Sequence, residues 1–373
     1  MAPTTITNVR IFDGDKINDQ RSSISFDPCT GLIVPETDAA TLIDGSSCTL
    51  LPGLWDTHVH LSNPTAQSLS DSLALCKDMI EHGITTAIDC GNLPSAHQQI
   101  LQNTSTAPDI LYVNKFATST GSTHSKFQMA GPSSIVDTVE DAVAFVDERV
   151  KQGAHYIKIV ADLPGPNQQV INQLSRCAHA HGKMTIVHAS RNAAFLMALR
   201  AEPPVSVITH VPMDEPLTHE QAEVMKEKGI VSVPTLVMME TLAASGRFPN
   251  VSFVSAMESA KALHNAGVPI LVGTDSNQST VARVKHGEAV WREMELLQKV
   301  GLSNVEILRA ATGLPAVLLG LNERGAVKVG KRADFVLVRG DPTTDIGALK
   351  EVVGVWKAGV EVFREGDAVT GKE

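Results

Sequence analysis

Leu54-Trp55-Asp56-Thr57-His58-Val59-His60-Leu61 is the stretch on which the fold turns. An apolar lead from Leu50 to Leu54, with Pro52-Gly53 inside it, runs into it. Side chains alternate faces along a strand, so His58 and His60 point the same way. Two imidazoles on one face, at the end of a buried strand, begin a metal site. Taken alone, the pair reads equally well as two packed or surface histidines. The remainder of the chain decides, because it supplies further ligand types in order, each at the end of its own apolar strand.

Outward from this stretch the pattern is strand, loop, helix, repeated. Strands are expected at 50–58, 84–90, 110–117, 155–160, 183–188, 205–210, 230–237 and 269–274, with helices at 67–82, 139–152, 168–181, 216–228 and 251–266. Further helices are expected at 287–300 and 303–319. Strands alternating with helices make a parallel sheet, and eight is the number that closes a barrel. Before the His-x-His strand lie short strand candidates at 4–13, 22–27, 31–35 and 41–44, and strand patterns return after Asp334 and Val352. The expected architecture is therefore α/β: a (β/α)8 TIM-type barrel over 50–324, with a small β-sandwich domain from 1–49 and 325–373, whose strands pair beside the barrel.

Composition bounds the partners. The chain has 373 residues, 43% hydrophobic, 19% charged and 4% aromatic, which suits a large aliphatic core. A net charge of -10 argues against nucleic acid, which would need a basic face. No apolar run approaches membrane-spanning length, and the first residues lack a basic and an apolar leader region. Five cysteines without paired spacing suggest free thiols in a reducing compartment, so the expectation is a cytoplasmic enzyme with a small-molecule substrate; homo-oligomerisation is left open.

In such barrels the chemistry sits at the C-terminal strand ends. The fourth strand, His155-Tyr-Ile-Lys158-Ile-Val, places a lysine among apolar residues, where a bare ammonium must be paired or altered. The fifth ends in His188, the sixth in His210 and the eighth in Asp275. Singly, Lys158 could reach outward, either histidine could be packed, and Asp275 could cap a helix. Five such strand ends together point to a metal centre.

The order His-x-His, Lys, His, His, Asp on eight strands resembles the amidohydrolase superfamily, in particular the branch of imidazolonepropionase-like proteins, metal-dependent prolidases and ochratoxinase-type amidases. The likeness also runs through Leu51-Pro-Gly-Leu-Trp-Asp-Thr-His-Val-His, Gly83-Ile-Thr-Thr-Ala-Ile-Asp-Cys-Gly, Val233-Pro-Thr-Leu, Gly273-Thr-Asp, Ala310-Ala-Thr-Gly-Leu-Pro-Ala and Gly325-Ala-Val-Lys-Val-Gly-Lys-Arg-Ala-Asp-Phe-Val-Leu. It implies two divalent metal ions, with zinc the expected element for imidazole and carboxylate ligands. By the resemblance His58, His60 and Asp275 hold the more buried ion, and His188 and His210 the more exposed one. Lys158, carboxylated by CO2, bridges them. The implied reaction is hydrolysis of a carboxamide C–N bond by metal-activated hydroxide, in an N-acyl amino acid, a dipeptide-like or a cyclic amide substrate, with Asp275 moving the proton.

On the substrate side, Thr118-Ser-Thr-Gly-Ser-Thr-His124-Ser lies where relatives carry a Gly-Gly-His, so His124 is a candidate contact. Arg191 follows His188 by three positions and could hold a substrate carboxylate. His286 follows the eighth strand and could line the mouth. After Val233-Pro-Thr-Leu, dipeptidase-like relatives place a tyrosine; here Met239 stands there, in Val237-Met238-Met239. Asp162 departs from the Ser-Gly-rich turn that often follows the lysine. Both departures weaken a prolidase reading and favour an apolar or aromatic group beside the scissile bond. The rival readings are a mononuclear-metal deaminase, a lactonase, a decarboxylase, and a non-catalytic scaffold protein.

Overall fold

Burial and side-chain bonding shape the two sheet systems of the computed structural model, which describes residues 2–366 except 19, 38, 63–67, 128 and 129. The start of the expected helix at 67–82 and the last residues of the C-terminal segment lie outside the described residues.

The terminal segments pair as expected. One eight-stranded sheet runs Val360–Arg364, Val352–Lys357, Phe335–Arg339, Cys48–Pro52, Thr4–Ile11, Ser22–Asp27 and Leu32–Val34, with Thr41–Asp44 beside Thr4–Ile11. The strand Thr4–Ile11 serves both halves of this sheet. Its start pairs with Ser22–Asp27 and Thr41–Asp44, and its end, at Arg10 and Ile11, with Cys48–Pro52. C-terminal Phe335–Arg339 lies antiparallel on Cys48–Pro52, Leu337 opposite Leu50. Ile6, Val9, Phe26, Ile33, Leu50, Phe335 and Trp356 share one apolar cluster, in which the Phe26 and Phe335 rings meet edge-on at 5.3 Å.

The remaining strands are parallel and alternate with helices. One sheet holds Leu54–Val59, Ile84–Asp89 and Asp109–Tyr112; the other holds Phe116–Ala117, Ile157–Val160, Thr185–His188, Val207–Thr209 and Val231–Val233, in chain order. They are buried on both faces, and Val and Ile recur along them between the buried polar residues. The helix starts are written in the sequence: Ser68 with Asp71, Thr138 with Asp141, Thr218 with Gln221 and Ser303 with Glu306 all form reciprocal capping boxes.

Several expected elements differ: the helix at 303–319 is two, Asn304–Ala311 and Gly313–Leu318, and the strand at 230–237 stops at Val233, with a helix from Leu236. The strand at 50–58 is two strands, Cys48–Pro52 in the terminal sheet and Leu54–Val59 in the parallel one, broken at Gly53. A Cβ at Gly53 would stand 2.1 Å from Thr85 Oγ1, so the chain turns there against its neighbour. The strand at 110–117 is interrupted at Asn114, whose φ of 63° is left-handed. The segment 269–274 forms no ladder strand, and the ladders do not run as one closed ring among the described residues. It still bonds to both neighbours: Leu271 N–H donates to Ser232 O (2.9 Å), Thr57 N–H to Val272 O (3.0 Å) and Asp275 N–H to His58 O (2.7 Å). In between, a side chain replaces the ladder. Asp56 accepts the Thr274 N–H (2.9 Å) and hydroxyl (2.6 Å).

Candidate metal centre

Six side chains from five chain segments meet above the parallel strands. His58 and His60 leave the end of Leu54–Val59, Lys158 stands inside Ile157–Val160, His188 ends Thr185–His188, His210 follows Val207–Thr209, and Asp275 sits in the bonded segment beside His58. His58 is 1% and Lys158 3% exposed, so the floor is dry.

The buried half is built on Asp275. Its Oδ1 lies 3.1 Å from His60 Nε2 and 3.5 Å from His58 Nε2. The His58, His60 and Asp275 ligand atoms all lie within 4.8 Å of one another. His58 Nδ1 is tied to the Thr209 hydroxyl (2.8 Å), which turns Nε2 inward, 3.4 Å from Lys158 Nζ. The half that the resemblance gives to the more exposed ion, the exposed half, is built on His188 Nδ1 and His210 Nε2, 2.8 Å apart, although His210 is itself buried, with Asp275 Oδ2 3.8 Å from His210 Nε2.

Electrostatics follow from burial and crowding. Burial pushes the Asp275 carboxyl up, yet the surrounding histidines, His58 first, outweigh it and hold the group below the usual carboxylate range. Burial lowers the Lys158 ammonium, and it drives His58 and His210 well below the ordinary imidazole value. These four groups therefore offer an ionised carboxylate, an amine less basic than an exposed lysine, and neutral imidazoles. That is the protonation pattern a divalent cation requires of its ligands.

Two carboxylates under the site set its frame. Asp56 locks the His58 strand to Thr274, and burial raises its pKa to about 7. Asp89 accepts the Leu61 and Gly91 N–H groups (2.8 and 3.0 Å) just beyond His60, and burial raises it to about 6.

The expected substrate contacts separate. His124 joins the exposed rim: its ring packs 4.6 Å from that of His188, and burial with the nearby His188 lowers its pKa to about 3. His286 is buried, donates through Nε2 to His60 O (3.2 Å), and is lowered to about 4 by burial. Arg191 is committed elsewhere. Its guanidinium donates to Asn250 O (2.7 Å) and Pro249 O (3.2 Å) and so anchors that loop. Met239 is 1% exposed within the main apolar core, whereas its neighbour Met238 is half-buried and accepts the Asn277 amide N–H (3.7 Å), two residues from Asp275.

Sequence reasoning gave no site role to Asp162, Thr209, Thr235, Asp56, Asp89 or Glu293. Asp162 was detectable as an acid two residues past the Lys158 strand; the hydroxyls carry no spacing signal of their own.

The pattern of the amidohydrolase family matches residues 49–364. The chain belongs to the amidohydrolase family. Its class of chemistry is therefore amide hydrolysis. Among amidohydrolases it is similar to the ochratoxinase of Aspergillus niger, 24% identical over 379 aligned positions that cover 83% of this chain and 75% of that one. The crystal structure of that enzyme superposes with a TM-score of 0.80 at 20% identity, covering 98% of this chain and 96% of the other. A shorter match, 29% identical over 143 positions, is to the imidazolonepropionase of Deinococcus deserti and covers 37% of this chain and 35% of that one. A Xaa-Pro dipeptidase with methionine bound in its active site shares the fold, with a TM-score of 0.81 and 23% identity over 97% of this chain and 100% of that one. No helix of the described residues is long and apolar enough to cross a membrane.

Proposed function

We propose that the protein is a binuclear metal-dependent amidohydrolase that cleaves a carboxamide C–N bond next to an apolar or aromatic group. The observation that carries this reading is the convergence of His58, His60, Lys158, His188, His210 and Asp275 on one buried point. His58, His60 and Asp275 would hold one divalent ion, and His188 and His210 a second. Lys158 would bridge them as a carbamate, formed when its neutral amine adds CO2 and releases a proton. Four imidazoles with carboxylate oxygens suit zinc. The parallel strands are read as the (β/α)8 barrel that places these ligands at one end; the backbone bonds of 269–276 to strands on both sides support that reading.

Bound ions of this kind lower the pKa of water and polarise a carbonyl. The residues of the chain do the rest. Asp275 accepts the proton of the attacking water and returns it to the leaving nitrogen, so no charged amide anion has to leave. Its depressed basicity fits the role only together with a strongly acidified water. His124, neutral and on the rim beside His188, can donate or accept a hydrogen bond at the substrate carbonyl. Phe127, 44% exposed and 5.0 Å from the His124 ring, and half-buried Met238 offer an apolar wall for the acyl or aromatic part. Met238, rather than the core residue Met239, is the methionine proposed to meet substrate.

Metal analysis with a hydrolysis screen tests the reading. Purified protein is expected to carry two zinc equivalents per chain, to lose activity with chelation, and to cleave N-acyl amino acids bearing aromatic groups faster than small polar dipeptides. One equivalent with amine release from an aminated heterocycle would make it a deaminase. None, with no hydrolysis, would leave a scaffold protein.

A further inference from the structure

We infer that Asp162 is a positioning residue for the exposed metal, fixing His188 in the tautomer that ligates through Nδ1. The inference rests on the binuclear reading and adds a residue to it. Asp162 lies two positions beyond the strand that carries Lys158, and its carboxylate is fully engaged. Oδ2 accepts His188 Nε2–H (2.8 Å) and the Ser190 hydroxyl (2.8 Å), and Oδ1 accepts the Ser190 backbone N–H (3.0 Å). An ionised carboxylate only accepts, so Nε2 of His188 must carry the proton and Nδ1 must hold the lone pair.

The partner imidazole is locked independently. The Thr235 hydroxyl donates to Pro234 O (2.8 Å), which leaves its oxygen to accept from His210 Nδ1–H. Nε2 of His210 therefore also presents a lone pair. The two lone-pair nitrogens face each other at 2.8 Å with no hydrogen left to share. Without a cation against both, the two rings must draw apart, each still held by its own partner, and a carboxylate on the far side of His188 keeps that ring oriented as a ligand. The buried half carries its own charge on Asp275; Asp162 adds a carboxylate behind His188 on the exposed side.

The test uses full-length protein, with zinc as probe. Asp162→Ala and Ser190→Ala are titrated with zinc under competing chelator, and histidine tautomers are read by nitrogen NMR on labelled, metal-free protein. In the wild type two equivalents should bind and His188 should be a single Nε2–H tautomer. Asp162→Ala should weaken the second equivalent by about ten- to a hundred-fold, leave the first within about threefold, and release His188 into mixed tautomers. Ser190→Ala, which keeps the carboxylate, should retain the tautomer. An unchanged second equivalent or an unchanged tautomer in folded Asp162→Ala overturns the inference while leaving the binuclear reading intact. A wild type that binds fewer than two equivalents overturns both. A third equivalent lost in His124→Ala also overturns the inference, because Asp162 and His188 Nε2 would then be ligands with His124, whose donor atoms lie within 4.8 Å of theirs.

Discussion

The two halves of the proposed metal centre are held by different means. The buried half is part of the fold: His58 and Asp275 are joined by a backbone hydrogen bond, and Asp56 ties the same two segments from below. The exposed half is held by side chains reaching across loops: Asp162 to His188, Thr235 to His210, and Arg191 to the 249–250 carbonyls nearby. Damage to the first should appear as lost turnover or lost stability. Damage to the second should appear as lost affinity or altered selectivity in a protein that still folds.

The sharpest break is Asp275→Asn. The amide keeps an oxygen for coordination but cannot take a proton, so turnover should fall by roughly a hundred- to ten-thousand-fold while circular dichroism stays native. A near-wild-type rate with metal bound would move the base elsewhere. Next is Asp56→Ala, which strips acceptors from the Thr274 N–H and hydroxyl in a dry environment. A buried donor left unpaired costs about 1–3 kcal/mol, read as a lower denaturation midpoint even in metal-free protein. If only metal affinity changed, the buried half would be no more built into the fold than the exposed half.

Glu293 gives a smaller effect with a sign. It is fully buried on helix Ala289–Val300 and accepts the Val237 N–H (2.8 Å), steadying the turn that carries Thr235. Burial raises its pKa from 4.5 to about 8, so the folded chain keeps a proton that the unfolded chain loses. Stability therefore falls as pH rises from about 4.5 to about 8. Glu293→Gln lacks that loss, so its advantage over wild type in urea melts should be absent at pH 4 and grow to pH 8. A difference flat in pH would mean that the carboxyl ionises alike in both states. The smallest effect is expected for Arg191→Ala. Its guanidinium serves carbonyls of the chain, so kcat/KM should drop alike, by about threefold or less, for neutral and carboxylate substrates. A drop confined to carboxylate substrates would return Arg191 to the pocket.

Legibility in the sequence divides along the same line. His58, His60, His188, His210 and Asp275 are readable because each is a ligand type ending an apolar run, a pattern set by strand period alone. Lys158 is readable because an ammonium inside such a run demands an explanation. Asp162, Thr209 and Thr235 are not readable as partners, since their roles arise from contacts between segments and have no local period. The same reason hid Arg191's engagement with Pro249 and Asn250. For the fold, alternation and the pairing of the termini were legible. The replacement of the last ladder by Asp56 was not, because the sequence records an aspartate and leaves open which backbone it will bond.

Separation along the chain gives the two halves different histories during synthesis. His188 and His210 are 22 residues apart, so their pairing is within reach soon after both leave the ribosome. Asp56 and Thr274 are 218 apart, and their bond waits for nearly all of the parallel-strand region to be made. The His188–His210 contact is thus within reach before the Asp56–Thr274 contact can form. Chain fragments ending short of Thr274 would contain His58, His60, Lys158, His188 and His210 in order, yet lack Asp275 and the Asp56–Thr274 contact that joins the two segments.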